Sequence, residues 1–179
     1  MSRATLLDEH RALLARWRDT MNLVGPGGLD VHYADARRAL AGLNAAGAWV
    51  DLGTGAGFPG VVLAAMFPAA TVELVDSRAK RCVFLEEVVE RAGAEGVTVR
   101  CARLETLPDG AYDGVTARAL AAPPEVLDVA RRLLRPGGTV VLFLQEDGSL
   151  PEHPGFEAAG GNAYIVDGKA RRSVFLRKL

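Results

Sequence analysis

The chain has 179 residues, 49% of them apolar, and a formal net charge of -1 at neutral pH. That length suits one well-buried domain and is short for two ordinary ones, so a single domain over residues 1–179 is expected. A charge so near zero removes the simplest argument for a nucleic-acid binder, which usually carries a strong basic excess.

The opening stretch MSRATLLDEHRALLARW is charged throughout and has no unbroken apolar region, which predicts a cytoplasmic protein with no membrane partner. From Arg3 to Asp19, Leu6, Leu13, Leu14 and Trp17 share one side of a helix. GPGG at Gly25 to Gly28 breaks the chain, and a helical pattern resumes from Leu29 to Leu43. Residues 1–45 thus read as an N-terminal helical region and 46–179 as a cofactor-binding sheet. Strands are predicted from Ala48 to Leu52, Thr71 to Asp76, Val97 to Ala102, Gly114 to Arg118 and Thr139 to Leu144. Helical stretches from Gly60 to Met66, Ala79 to Ala92 and Pro124 to Leu134 alternate with them, which implies a parallel α/β sheet covered on both faces. In the tail, Asp167-Gly168 separates two further strand patterns, an antiparallel hairpin at the sheet's edge. Cys82 and Cys101 lack any metal-ligand spacing and are expected as reduced core thiols; no metal site is expected. His10 and His153 have no partner near in sequence and are expected in solvent, and His32 is expected as a helix cap, with an RNA contact the alternative.

The segment WVDLGTGAGFPG, residues 49–60, carries the chemistry. It leaves the first strand at Asp51, turns through Gly53, Gly55 and Gly57, and enters a helix behind Pro59. In an open α/β sheet, such a turn lies at the carboxyl ends of the strands, where a nucleotide-like cofactor binds. GAGFPG matches the dinucleotide pattern GxGxxG, so a nicotinamide or flavin cofactor is one alternative. A pyrophosphate is disfavoured by a carboxylate at the mouth of its helix, whereas S-adenosylmethionine is cationic and carries no phosphate, so Asp51 favours it. Asp76, at the end of the second strand, is expected to accept hydrogen bonds from both ribose hydroxyls, or else to cap the following helix. Valine at Gly55 or Gly57 is expected to block the cofactor and leave the apolar core intact. Arg118 ends a buried strand facing the same crevice, and its alternative is an ion pair with Asp51 or Asp113. Arg37, Arg38, Arg78, Lys80 and Arg81 are candidates for RNA phosphates around the crevice rim.

Asn22-Leu23, HYADA from His32, VDLGTGAGFPG, VDSRAKRCVFLEEV, ARLETLP, YDGVTARALA and the closing RSVFLRKL together resemble the RsmG (GidB) family. That family methylates a guanine N7 in bacterial 16S ribosomal RNA. The resemblance implies the class I S-adenosylmethionine-dependent methyltransferase fold, Rossmann-like, with seven strands and an antiparallel C-terminal hairpin. It puts cofactor contacts on Gly53, Phe58, Asp76 with Ser77, Leu104, Glu105 and Arg118. The sequence itself offers no catalytic cysteine pair and no paired carboxylates, so no catalytic acid or base is expected and Arg118 is the one catalytic candidate. The substrate partner it implies is 16S rRNA or the small ribosomal subunit, met by a monomer. Where the family has Leu-Lys-Gly after the fifth strand, this chain has Leu144, Gln145 and Glu146, followed by Asp147, so a lysine at the pocket mouth is missing. The alternatives are a related methyltransferase acting on another RNA or a small molecule, and a non-catalytic cofactor-binding regulator.

Overall fold

The computed structural model describes residues 3–21, 28–145 and 152–179. Two helices, α1 (Arg3–Met21) and α2 (Leu29–Ala39), precede the alternating part. That part runs β1 (Gly47–Leu52), α3 (Gly60–Met66), β2 (Ala70–Asp76), α4 (Ala79–Ala92), β3 (Val97–Cys101), a 3-10 turn (Leu104–Thr106), β4 (Tyr112–Ala117), α5 (Pro123–Leu133) and β5 (Leu134–Gln145). The antiparallel pair β6 (Phe156–Val166) and β7 (Lys169–Lys178) follows. The sheet order is β3-β2-β1-β4-β5-β7-β6, with β1 to β5 parallel and β7 antiparallel to both its neighbours. This is the expected seven-stranded methyltransferase sheet, hairpin included. No described helix is long and apolar enough to cross a membrane.

Side-chain alternation along the strands feeds two apolar layers. Trp49, Val72, Leu74, Val141 and Phe175 pack on one face with residues of α1 to α4, including Leu6, Leu14, Tyr33, Leu63 and Leu85. Val50, Leu52, Val75, Val115, Val140 and Leu142 pack on the other with Val126, Leu127 and Leu133 of α5. Trp49 fits because its partner across the parallel ladder is Gly114, where a Cβ would come within 2.2 Å of the indole. Helix α4 stops where Gly93 takes a left-handed conformation, φ 54°, and closes the last turn onto Glu90 and Val89.

Several expectations change. The predicted second helix runs only to Ala39, its cap Leu40 leaving helical geometry. β5 starts at Leu134 rather than Thr139, because Leu134 already pairs with Tyr112 across a register shift. His10 is fully buried, not solvated. His153 is also held, its Nε2 3.2 Å from Asp128 Oδ1 and its Nδ1 accepting from Gly155 N. His32 lies within α2, not at its cap, 5.6 Å between centroids from Phe58. Cys82 is a buried thiol, but Cys101 is exposed at the end of β3. The Asn22-Leu23 pair, the GPG of the first break, and Glu146 and Asp147 lie outside the described residues.

Candidate cofactor site

Asp51, next to last in β1, has its side chain turned into the protein, 1% exposed. Its Oδ2 accepts hydrogen bonds from Thr54 Oγ1 at 2.6 Å and Gly60 N at 2.9 Å, and its Oδ1 accepts from Thr116 Oγ1 at 2.7 Å. Those donors, with Arg118 nearby, favour the charged form, but burial outweighs them and pushes the Asp51 carboxyl up to about 6. The expectation that Asp51 faces a cationic ligand is thereby corrected: it ties the strand end to the turn, to α3 and to β4.

The turn is held almost wholly by its own N–H groups. Thr54 N donates to Val75 O, Gly57 N and Phe58 N to Thr54 O, Gly55 N to Asp76 Oδ2 and Gly60 N to Asp51 Oδ2. A pyrophosphate needs such N–H groups free and an uncharged helix mouth. Here they are spent internally and a carboxylate occupies the mouth of α3, so the match to the dinucleotide pattern does not carry over to its chemistry.

Gly53, Gly55 and Gly57 all have positive φ, 61°, 61° and 97°. Gly57 does a packing job besides: a Cβ there would stand 2.8 Å from Val61 Cγ2 and 3.0 Å from both His10 Nε2 and Leu85 Cδ2. His10 reaches across from α1. Its Nε2 lies 2.6 Å from the Ala56 carbonyl and its Nδ1 2.6 Å from the Tyr33 hydroxyl. A carbonyl only accepts, so Nε2 carries the proton and Nδ1 accepts from Tyr33. Burial lowers the His10 pKa to about 4, which keeps the ring neutral. Phe58 is buried in the same aromatic cluster, edge-on to His10 and Tyr33.

Beyond the carboxyl ends of β1, β2 and β3 lies an open, mostly polar cavity of about 580 Å³. It gathers five of the residues named from sequence, Gly53, Asp76, Ser77, Leu104 and Glu105. Asp51, Gly55, Gly57, Phe58 and Arg118 do not line it. Arg78 and Arg81, named as an RNA rim, do line it, and Ala102, Arg103, Ala119 and Leu120 were missed. Leu120 stands close against the glycine turn: a Cβ on Gly53 would meet Leu120 Cδ1 at 2.6 Å.

Asp76 is 4% exposed. Its Oδ2 accepts from Gly55 N at 3.0 Å and Arg81 Nη1 at 3.1 Å, and its Oδ1 from Arg78 N at 2.9 Å. A carboxylate offers about four acceptor positions, so one remains open, on Oδ1. That position fits one ribose hydroxyl; a second needs Arg81 to swing aside. Arg81, named as a rim cation, thus donates to Asp76 at the cavity wall. Asp76→Asn is expected to weaken nucleoside-cofactor binding about thirty-fold, roughly 2 kcal/mol, through loss of a charged acceptor. Calorimetry checks it, and unchanged affinity would move the ribose elsewhere.

Arg118, just past β4, pairs with neither Asp51 nor Asp113. Its Nη1 donates to Asp35 Oδ2 at 3.1 Å and its guanidinium lies 5.2 Å from the Phe58 ring centroid. Asp113 is taken by Arg135 and by Ala48 N, each at 2.7 Å. Arg37 and Arg38 are exposed on α2, Arg38 donating to the Ile165 carbonyl, and Lys80 is exposed in the first turn of α4. Gln145, standing where a lysine was expected, ends β5 opposite Arg171.

The sequence model of the family described as rRNA small subunit methyltransferase G, GidB, matches residues 3–150. A protein of that name from Halorhodospira halophila is 39% identical over 158 residues, 82% of this chain and 74% of its own. Its namesake from Methylorubrum populi is 42% identical over 149 residues, 78% of this chain and 70% of its own. A solved SAM-dependent methyltransferase from Aquifex aeolicus shares the fold, with a TM-score of 0.59 at 20% identity over 77% of this chain and 85% of that one. The chain belongs to the rRNA small subunit methyltransferase G family.

Proposed function

We propose that the protein is an S-adenosylmethionine-dependent methyltransferase acting on guanine N7 of 16S rRNA in the small ribosomal subunit. The observation that carries the cofactor reading is the pairing of an internally bonded glycine turn, closed to phosphate, with a polar cavity that holds Asp76 at its wall. Bound there, S-adenosylmethionine supplies an electrophilic methyl group on a sulfonium. Asp76 holds a ribose hydroxyl through its open Oδ1 position, and Leu104 and Glu105, following β3, flank the base. Phe58 and Arg118 stand toward β4, at the other end. Family membership supports the substrate.

Guanine N7 is an acceptor with a free lone pair at neutral pH, so its attack on a methyl group needs no proton removed. The chain's task is to align the reactants at near-attack distance, roughly 3 to 3.5 Å, and to exclude water. The single-turnover rate should then be nearly flat between about pH 7 and 9. An ascending limb there, abolished by replacing one Asp, Glu or His, would instead require a substrate atom that starts protonated.

The charge distribution favours a structured substrate. With a net charge of -1, affinity for RNA must come from local cations such as Arg37, Arg38, Arg78 and Lys80 and from shape. The deciding experiment is transfer of tritiated methyl to small subunits from cells lacking this modification, followed by mapping of the labelled base. Label on N7 of one 16S guanine supports the proposal; label on another RNA alone sinks it.

A further inference from the structure

Asp35 in α2 is 6% exposed, and side chains from three distant elements converge on it. Arg118 Nη1 donates to its Oδ2 at 3.1 Å, Tyr164 of β6 donates its hydroxyl to Oδ1 at 2.9 Å, and Arg171 Nε of β7 stands 3.9 Å from Oδ1. Two guanidiniums thus share one carboxylate, and Arg171 Nε has no hydrogen-bond partner among the described residues.

The place of this cluster gives it a task. Ala119 and Leu120, which directly follow Arg118, line the cavity that also holds Asp76 and Leu104. In the order β3-β2-β1-β4, Asp76 and Leu104 lie to one side of the glycine turn and Arg118 to the other. A nucleoside cofactor with its ribose at Asp76 therefore extends its far end toward Arg118. If that end is a sulfonium, an uncompensated guanidinium beside it repels the cofactor, and a half-buried site screens that repulsion poorly.

We propose that Asp35 is a positioning residue for Arg118: it fixes the guanidinium against Phe58 and offsets part of the positive charge that Arg118 and Arg171 bring together, so that a cofactor bearing a sulfonium can extend from the cavity toward this end. The proposal rests on the cofactor reading above. It makes a demand that a packing role for Asp35 does not. S-adenosylmethionine and its product S-adenosylhomocysteine differ by one methyl group and one positive charge at sulfur, so losing compensation must penalise the first more than the second.

The test is calorimetric titration of both ligands into the intact chain and three variants, Asp35→Asn, Arg118→Met and the double variant. Asp35→Asn should lose about tenfold more affinity for S-adenosylmethionine than for S-adenosylhomocysteine. Arg118→Met should shift the ratio the opposite way, toward S-adenosylmethionine, and this variant carries the test alone if Asp35→Asn does not fold. In the Arg118→Met background, Asp35→Asn should shift the ratio far less than in the parent. An unchanged ratio in the folded variants overturns the proposal and leaves Asp35 a packing residue, while the cofactor reading stands. A parent protein that binds neither ligand overturns both.

Discussion

Gly57→Val is expected to destabilise the fold by about 3 to 5 kcal/mol, as overpacking and left-handed strain each cost about 1 to 3 kcal/mol. The φ of 97° is hostile to a β-branched residue, and the new side chain would run into Val61, His10 and Leu85 at 3.0 Å or less. A thermal midpoint roughly 10 °C lower follows for a chain of this size. Gly55→Val should behave differently. Its Cβ would find Arg81 Nη1 no nearer than 3.8 Å, so only backbone strain opposes it, about 1 to 2 kcal/mol. A valine that leaves the core undisturbed is thus expected at Gly55 alone; at Gly57 the side chain meets core atoms. Scanning calorimetry without ligand separates them, and equal midpoints for the two variants would refute the packing account.

A second large effect is hidden in the intact protein because two buried groups titrate against each other. His10 falls from 6.5 to about 4 on folding, so its neutral ring contributes stability at neutral pH that is lost as pH drops from 6.5 toward 4. Asp51 rises from 3.8 to about 6, so its contribution is largest at low pH and is lost as pH climbs through 6. Each amounts to about 3 kcal/mol. Between pH 6 and 4 the two slopes have opposite signs and nearly cancel. Relative to the parent, His10→Gln should gain about 2 to 3 kcal/mol on going from pH 7 to 4, and Asp51→Asn should lose as much. Urea unfolding at pH 7, 5 and 4 measures both. Three parallel stability curves would show that neither group titrates abnormally in the fold.

Local chemistry made much of this legible. α3 and α4 have the bounds expected from sequence, because a glycine turn precedes one and Gly93 ends the other. The hairpin was legible from Asp167-Gly168, where both residues take positive φ. β5 was read short because Arg-Pro-Gly-Gly has the composition of a turn, although its neighbour Leu134 already pairs with Tyr112. The site divided along the same line. Asp76 ends β2 and was legible from the strand pattern, whereas Ser77 and Leu104 came with the family resemblance. His10 was missed because its two partners lie 23 and 46 residues away, and Asp35 because it meets Arg118 across 83 and Tyr164 across 129. A motif shows which residues leave a strand together; it does not show which distant carboxylate turns to meet them.

The hairpin's strand order bears on how the chain assembles. β7, later in sequence, lies inside the sheet against β5, and β6, which precedes it, is the outer edge. β6 therefore has no place in the sheet until β7 has formed beside it. The same hairpin carries Asn162, Tyr164 and Ser173, whose side chains bond to Ala39, Ala41 and Asp35 across more than 120 residues of chain. Contacts of such long sequence separation are slow to form. While the chain is being synthesised, the glycine turn and Asp76 can fold early, but the Asp35 cluster closes only after β7 has left the ribosomal tunnel. On the proposed cofactor placement, the nascent protein would hold the residues assigned to the adenosine before those assigned to the reacting methyl group.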